Sequence, residues 1–230
     1  MDRSNKVKNR LISIISHDLR APIVSLKQLL DYAEQEELSE QQFKEYLQRL
    51  NASVNYTSDM IDKVLFWVNN QMKGMKVQKK KFSVEGLVEE VLAVSEESAN
   101  QKGIEVELRP NGGLEVEADP QMIRLVMINV INNAIKFSPV NQGKVEINIT
   151  KKQSFACVDI QDIGKGMDDS QMKQLFSLEK TVSLGTDGEK GAGIGMVLSK
   201  ELMTMNKGDI IPFSEPGKGT SICLKLPLAN

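Results

Sequence analysis

The apolar residues of this chain change their spacing near Gly74, and no single architecture satisfies both halves. Before that point they recur every three or four residues. Val7, Leu11, Ile15, Leu19, Ile23, Leu26, Leu30 and Ala33 form one stripe. Phe43, Leu47, Leu50, Val54, Ile61, Leu65, Val68 and Met72 form another. Such spacing puts each set on one face of an α-helix. The polar run "EQEELSE", Glu34 to Glu40, separates the two, with Ser39 placed to cap the second helix and Gln42 at the capping-box position. Residues 1–74 therefore read as a helical hairpin. Two helices with seams this narrow bury little between them. The mildly heptad spacing favours a second copy as the remedy, giving a homodimer with a four-helix bundle.

After Gly74 the stretch "VQKKKFSVEGL" reads as a linker into residues 75–230, where the texture is mixed. Helical segments at Val84 to Gln101, Pro120 to Phe137 and Gly195 to Met205 alternate with the strand-like runs "IEVEL", "LEVEA", "KVEINIT", "FACVDIQD" and "TSICLKL". That alternation implies an α/β sandwich. A formal net charge of −2, with Lys79 to Lys81 as the one short basic run, gives no surface for nucleic acid. No apolar stretch approaches the roughly 18 residues of a membrane span, and the start "MDRSNKVKNR" is too polar for a signal peptide. Cys157 and Cys223 stand apart without metal-ligand spacing, which suits a reducing compartment. The expectation is a cytoplasmic chain, with any membrane anchor in an upstream segment.

The chain has 1 histidine, His17, within "SIISHDLRAPI". On its helix it lies roughly 170° from the centre of the apolar stripe and so faces solvent. A lone exposed imidazole is commonly just a neutral surface group. Here Asp18 can accept from one ring nitrogen, fix the tautomer and leave the other lone pair free to act as a nucleophile. Pro22 lacks a backbone N–H and can bend the helix just past this site.

The second half carries the matching electrophile chemistry. "NVINNAIKFS" sets Asn129, Asn133 and Lys136 about a turn apart on one helix. An amide oxygen suits Mg2+ and a lysine suits phosphate, although a merely polar helix face reads the same way. "DIGKGM" places Asp162 ahead of Gly164 and Gly166, so that a carboxylate can accept from an exocyclic amine while the backbone comes close to a flat ring. "GEKGAGIGM" places Gly191, Gly193 and Gly195 directly before a helix, where free N–H groups can bind phosphate. It is neither the dinucleotide fingerprint nor a P-loop.

Taken in order, these segments resemble the catalytic core of sensor histidine kinases over nearly the whole chain. "SHDLRAPI" looks like the H box of that family, "NVINNAIKF" its N box, "DIGKGM" its G1 box, "LFSLEK" its F box through Phe176, and "GAGIGM" its G2 box. The tail "SEPGKGTSICLKLPL" matches the family's final hairpin and strand. The resemblance implies a dimerisation and phosphotransfer hairpin followed by a Bergerat-type ATP-binding domain. It implies His17 as phosphoacceptor, Asp18 as base or orienter and Arg20 as the basic residue of the H box. Asn133, helped by Asn129, would hold Mg2+. Lys136 would meet phosphate and Phe137 would pack beside the nucleotide. Asp162 would read the adenine amine, with Gly164 and Gly166 giving clearance. Gly191, Gly193 and Gly195 would cradle the ATP phosphates under a segment from about Leu178 to Lys190. The phosphoryl group would pass to an aspartate in the receiver domain of a response regulator.

Four positions depart from the family's pattern. Ala21 stands where many relatives carry Thr or Asn, which implies weak phosphatase activity. Asn206-Lys207 replaces the usual His-Gly, and Pro212 falls in an expected strand, which suggests a sheet edge or a bulge. Two other classes of function share the boxes: a Bergerat-fold ATPase without a phosphoacceptor, and a degenerate kinase acting as a dimeric scaffold.

Overall fold

The computed structural model describes residues 23–24, 26–27, 30–31, 39, 41–48, 50–51, 54, 58, 77–109, 112–177, 185–186 and 195–229. The chain divides into two compact units, Met1–Met75 and Lys76–Asn230.

In the first unit, residues 41–48 are helical. Ser39 closes a capping box in front of them: its Oγ accepts from the Gln42 N–H at 3.3 Å, and its own N–H donates to Gln42 Oε1 at 3.0 Å. The described residues of the apolar stripes are largely exposed in the single chain. Ile23 is 65% exposed and Leu30 is 55%, with Leu26, Phe43, Leu47 and Val54 also exposed.

The second unit begins with β1 (Lys80–Ser83), α1 (Val84–Lys102), β2 (Glu105–Arg109) and β3 (Glu115–Ala118). Helix α2 (Pro120–Phe137) leads to β4 (Lys144–Lys152) and β5 (Phe155–Asp162). Then come α3 (Asp169–Gln174), α4 (Gly195–Met205), β6 (Asp209–Glu215) and β7 (Gly219–Pro227). Five strands form one sheet in the order β2-β4-β5-β7-β6, with β2 and β4 parallel and the other pairs antiparallel. Strand β6 pairs only with β7, so Pro212, which has no N–H to give, sits on an edge.

Burial alternates along β4: Val145, Ile147 and Ile149 are buried between less buried neighbours. Helix α2 lies against β4 and β5 and supplies Ile123, Val126, Met127, Val130 and Ile131 to the core, all at most 1% exposed. Truncating such a residue to alanine costs about 2–5 kcal/mol. This core makes α2 the fixed axis on which the site is built.

Strand β1 differs from the linker reading. It joins β3 as a separate two-stranded antiparallel sheet, pairing Lys81 with Glu117 and Phe82 with Val116. Its residues carry no apolar alternation. The strand exists because β3, anchored by the fully buried Val116, offers a backbone ladder.

Asp119 caps the start of α2. Its Oδ1 accepts from the N–H groups of Gln121 and Met122, and its Oδ2 from that of Gln78 at 2.9 Å. The Asp119 N–H donates to Asn206 Oδ1 at 2.7 Å, while Asn206 Nδ2 donates to the Leu202 carbonyl. Asn206 is wholly buried, and Lys207 beside it has a left-handed φ of 58°. The Asn-Lys pair thus ties the end of α4 to the start of α2.

Candidate active site

The last turns of α2 carry three asparagines with three different fates. Asn132 accepts from Ser95 Oγ of α1 at 3.2 Å. Asn129 turns to α4, where its Nδ2 donates to Ser199 Oγ at 3.0 Å and to the Met196 sulfur at 3.5 Å. Its Oδ1 faces Gly195, and a Cβ on that glycine would strike the amide. Asn133 is half-buried and takes no hydrogen-bond partner among the described residues. Its amide is the one left to meet a ligand. The described residues hold no group of His, Cys, Asp or Glu fit to bind a metal. An ion here would rest on an amide oxygen, on water and on the ligand's own oxygens, the donor set that suits Mg2+.

Asp162 ends β5 and is 6% exposed. Its Oδ1 accepts from the Gly164 N–H at 2.8 Å and from the Thr220 N–H at 3.2 Å. Its Oδ2 has no donor among the described residues, so the carboxylate keeps one unused acceptor. Burial pushes the Asp162 carboxyl up to about 6, and the two amide donors pull it back only in part. Such a group recognises a donor such as an exocyclic amine and rejects a carbonyl.

Gly164 joins Asp162 to α2. A Cβ there would collide with the Phe137 carbonyl oxygen and lie 2.8 Å from Asp162 Oδ1. Gly166 follows with a φ of 66° beside the Glu215 carbonyl. Phe137, part-exposed at the helix end, has the Lys136 and Lys165 ammoniums each 5.2 Å from its ring centre. Two cations beside one ring make this end of α2 attractive to an anionic ligand. Phe176 lies near α4, with Lys200 Nζ 5.2 Å from its ring centre.

The structure therefore brings Asn129, Asn133, Lys136, Phe137, Asp162, Gly164, Gly166 and Gly195 into relation around the end of α2. His17, Asp18, Arg20, Ala21, Gly191 and Gly193 lie outside the described residues, as does the 178–190 segment apart from residues 185–186. Sequence reasoning did not single out Thr220, Ser199 or Ser214. Thr220 donates to Asp162, and Ser214 Oγ lies 2.9 Å from Thr220 Oγ1 while accepting from the Met167 N–H at 2.8 Å. The "GKGT" stretch of the tail was the available signal for Thr220.

Residues 118–230 match the family model of the histidine kinase-, DNA gyrase B- and HSP90-like ATPases. Residues 7–71 match that of the His Kinase A phospho-acceptor domain. The chain belongs to the sensor histidine kinases. It is their catalytic core, a phospho-acceptor module followed by a unit of the ATP-using class.

Among relatives of this kinase core, the hybrid signal transduction histidine kinase B of Dictyostelium discoideum is 27% identical over 234 residues, covering 98% of this chain and 12% of that protein. The histidine kinase AdeS of Acinetobacter baumannii has a TM-score of 0.69 at 23% identity, covering 93% of this chain and 98% of that one. The histidine kinase ThkA, solved in complex with the response regulator protein TrrA, gives a TM-score of 0.71 at 19% identity over 98% of this chain and 63% of that one. The last two likenesses concern fold. The kinase core spans between 12% and 28% of the first curated relatives it matches. No helix among its described residues is long and apolar enough to cross a membrane.

Proposed function

We propose that the chain transfers the γ-phosphoryl group of ATP to His17 and then to an aspartate in the receiver domain of a response regulator. The observation that carries this reading is the pairing within one chain of a phospho-acceptor module, holding the only histidine, with an ATPase-class unit in which Asp162 keeps an unused acceptor beside α2.

On this reading residues 1–74 are the dimerisation and phosphotransfer part, and residues 75–230 the ATP-binding part. Asp162 Oδ2 accepts from the adenine N6 amine, with Gly164 letting the ring approach. Phe137 packs beside the nucleotide, and Lys136 lends positive charge. Asn133 holds Mg2+ through its amide oxygen, and Asn129, oriented by Ser199, supports it from the previous turn. When bound, Mg2+ would neutralise charge on the phosphates. Gly191, Gly193 and Gly195 offer N–H groups to phosphate ahead of α4. Asp18 orients the His17 imidazole or removes its proton, and Arg20 adds charge nearby. Positioning and electrostatics supply most of phosphoryl-transfer catalysis, which suits a site built mainly from backbone and amide groups.

A homodimer is supported by the exposure of Ile23, Leu26, Leu30, Phe43, Leu47 and Val54, the described residues of the apolar stripes, in the single chain. A receiver-domain partner is supported by the fold likeness to ThkA, solved with its regulator. Dependence on ATP and such a partner points to the cytoplasm. Ala21, having no polar side chain, implies a poor phosphatase. Ala21→Thr should hasten decay of the phosphorylated regulator, and strong acceleration by the unmodified kinase would refute this.

Incubation with γ-labelled ATP and Mg2+ tests the whole reading. Acid-labile, alkali-stable label on the protein supports it. Released phosphate without protein label indicates a Bergerat-fold ATPase, and neither indicates a dimeric scaffold.

A further inference from the structure

Asp162 begins a row of side chains that crosses three strands. Its register partner on β7 is Thr220, and the partner of Thr220 on β6 is Ser214. Two residues back, Ile160 and Ile222 pair as buried neighbours, and residues two apart on a strand share a face. The row therefore lies on the core face of the sheet, just past the core itself. Thr220 gives its backbone N–H to Asp162 Oδ1 at 3.2 Å, and its Oγ1 lies 2.9 Å from Ser214 Oγ. Ser214 Oγ also lies 2.8 Å from the Gly219 carbonyl oxygen and accepts from the Met167 N–H at 2.8 Å. A serine hydroxyl has one proton and two acceptor positions. A carbonyl has no proton to give, so the Ser214 proton goes to Gly219. The proton between the two hydroxyls then belongs to Thr220. Ser214 is saturated, and Thr220 Oγ1 is left with lone pairs alone.

We infer that Ser214 is a positioning residue for base recognition: by taking the Thr220 proton, it makes the Thr220 hydroxyl an acceptor beside Asp162. The inference rests on reading Asp162 as the adenine contact. Directly opposed residues on one face have Cβ atoms about 5 Å apart, so Thr220 Oγ1 and the unused Asp162 Oδ2 are close enough to serve one group. An exocyclic amine has two hydrogens, one for each acceptor. A ring carbonyl in the same place meets lone pairs from both sides and is rejected. A threonine hydroxyl free to turn would not discriminate in this way, because it could donate to the carbonyl. The preference thus depends on a side chain that itself touches no ligand.

The test uses the full chain with Mg2+, titrated with ATP and with GTP, and reads the ratio of the two dissociation constants. Ser214→Ala leaves the Thr220 proton free to turn toward the ligand. GTP should gain and ATP should lose, so the preference for ATP should shrink roughly threefold to tenfold. Ser214→Thr keeps the hydroxyl and should restore the preference. Thr220→Val removes the hydroxyl whose direction Ser214 sets. In that background, adding Ser214→Ala should leave the ratio within about twofold. An unchanged ratio in Ser214→Ala overturns the inference, even where the thermal midpoint falls, because Ser214 is then a structural hydroxyl only. An equal loss of preference from Ser214→Ala with and without Thr220→Val overturns it too, since the effect then bypasses Thr220. If the unmodified chain binds ATP no better than GTP, the reading of Asp162 itself fails and this inference falls with it.

Discussion

The two ends of α2 each have a nearly buried aspartate beside them, and the two are used differently. Asp119 at the start is 7% exposed, and Asp162 beside the end is 6% exposed. The helix has 18 residues, so its ends stand about 27 Å apart. At the start, both Asp119 oxygens are committed, to the N–H groups of Gln121, Met122 and Gln78. At the other end, one Asp162 oxygen takes two N–H donors and the other takes none among the described residues. Burial alone does not separate them. The unspent oxygen does: a carboxylate with both oxygens engaged holds a fold, while one with an oxygen in reserve can hold a ligand.

Removing Asp119 should give the largest effect on stability. Asp119→Ala deprives three N–H groups of their acceptor and should cost about 2–4 kcal/mol in chemical denaturation. ATP affinity of the folded fraction should change little. A large loss of affinity without loss of stability would erase the contrast between the two ends.

Asp162→Asn should do the reverse. ATP affinity should fall on the order of tenfold to a hundredfold, with weaker preference for ATP over GTP, while the nucleotide-free unit loses no stability and above about pH 6 gains some. Full retention of ATP-over-GTP preference in a binding titration would remove Asp162 from adenine recognition.

The same carboxyl makes binding and stability depend on pH in opposite senses. Burial raises it from 3.8 to about 6, so the folded state holds its proton to higher pH than the unfolded chain does. Its contribution to nucleotide-free stability is complete below the unfolded value. It is lost as pH rises through about 6, a change of about 3 kcal/mol. Accepting from adenine needs the ionised form, so ATP affinity should rise with pH up to that value, at most about tenfold per pH unit, and then level off. Calorimetric titrations and thermal melts across pH 5 to 8 read both trends, and Asp162→Asn should flatten both. Parallel trends would contradict the assignment.

The smallest effect belongs to the structural end. Lys207 holds a left-handed φ of 58°, which glycine adopts without steric cost, so Lys207→Gly should stabilise the unit by up to about 1 kcal/mol. A destabilised variant would show that the lysine side chain matters there.

How far each feature was legible follows from the range of its cause. Helices α2 and α4 have the bounds expected from their periodicity, because apolar spacing and local caps decide them. Strand β1 was read as linker because its pairing with β3, not its own pattern, makes it a strand. Helix α3 has only 6 residues, too few for periodicity, although its Asp168–Gln171 capping box was present in the sequence. In the site, the box residues Asn133 and Asp162 stood out by motif. Thr220 and Ser199 did not, because their partners lie 58 and 70 residues away. Tertiary hydrogen bonds of that range leave no local signature. The contrast between Asn129, engaged by α4, and Asn133, left open, is likewise a property of packing.

The claim that the chain is a histidine kinase core with His17 as phosphoacceptor is tested most directly by locating the phosphate. The chain and His17→Ala are each incubated with ATP and Mg2+, and the phosphorylated residue is mapped by mass spectrometry under alkaline conditions. The account predicts an acid-labile phosphate on His17 in the first and no phosphate in the second, although both bind ATP equally. Phosphate on another residue, or unchanged labelling of His17→Ala, would contradict it.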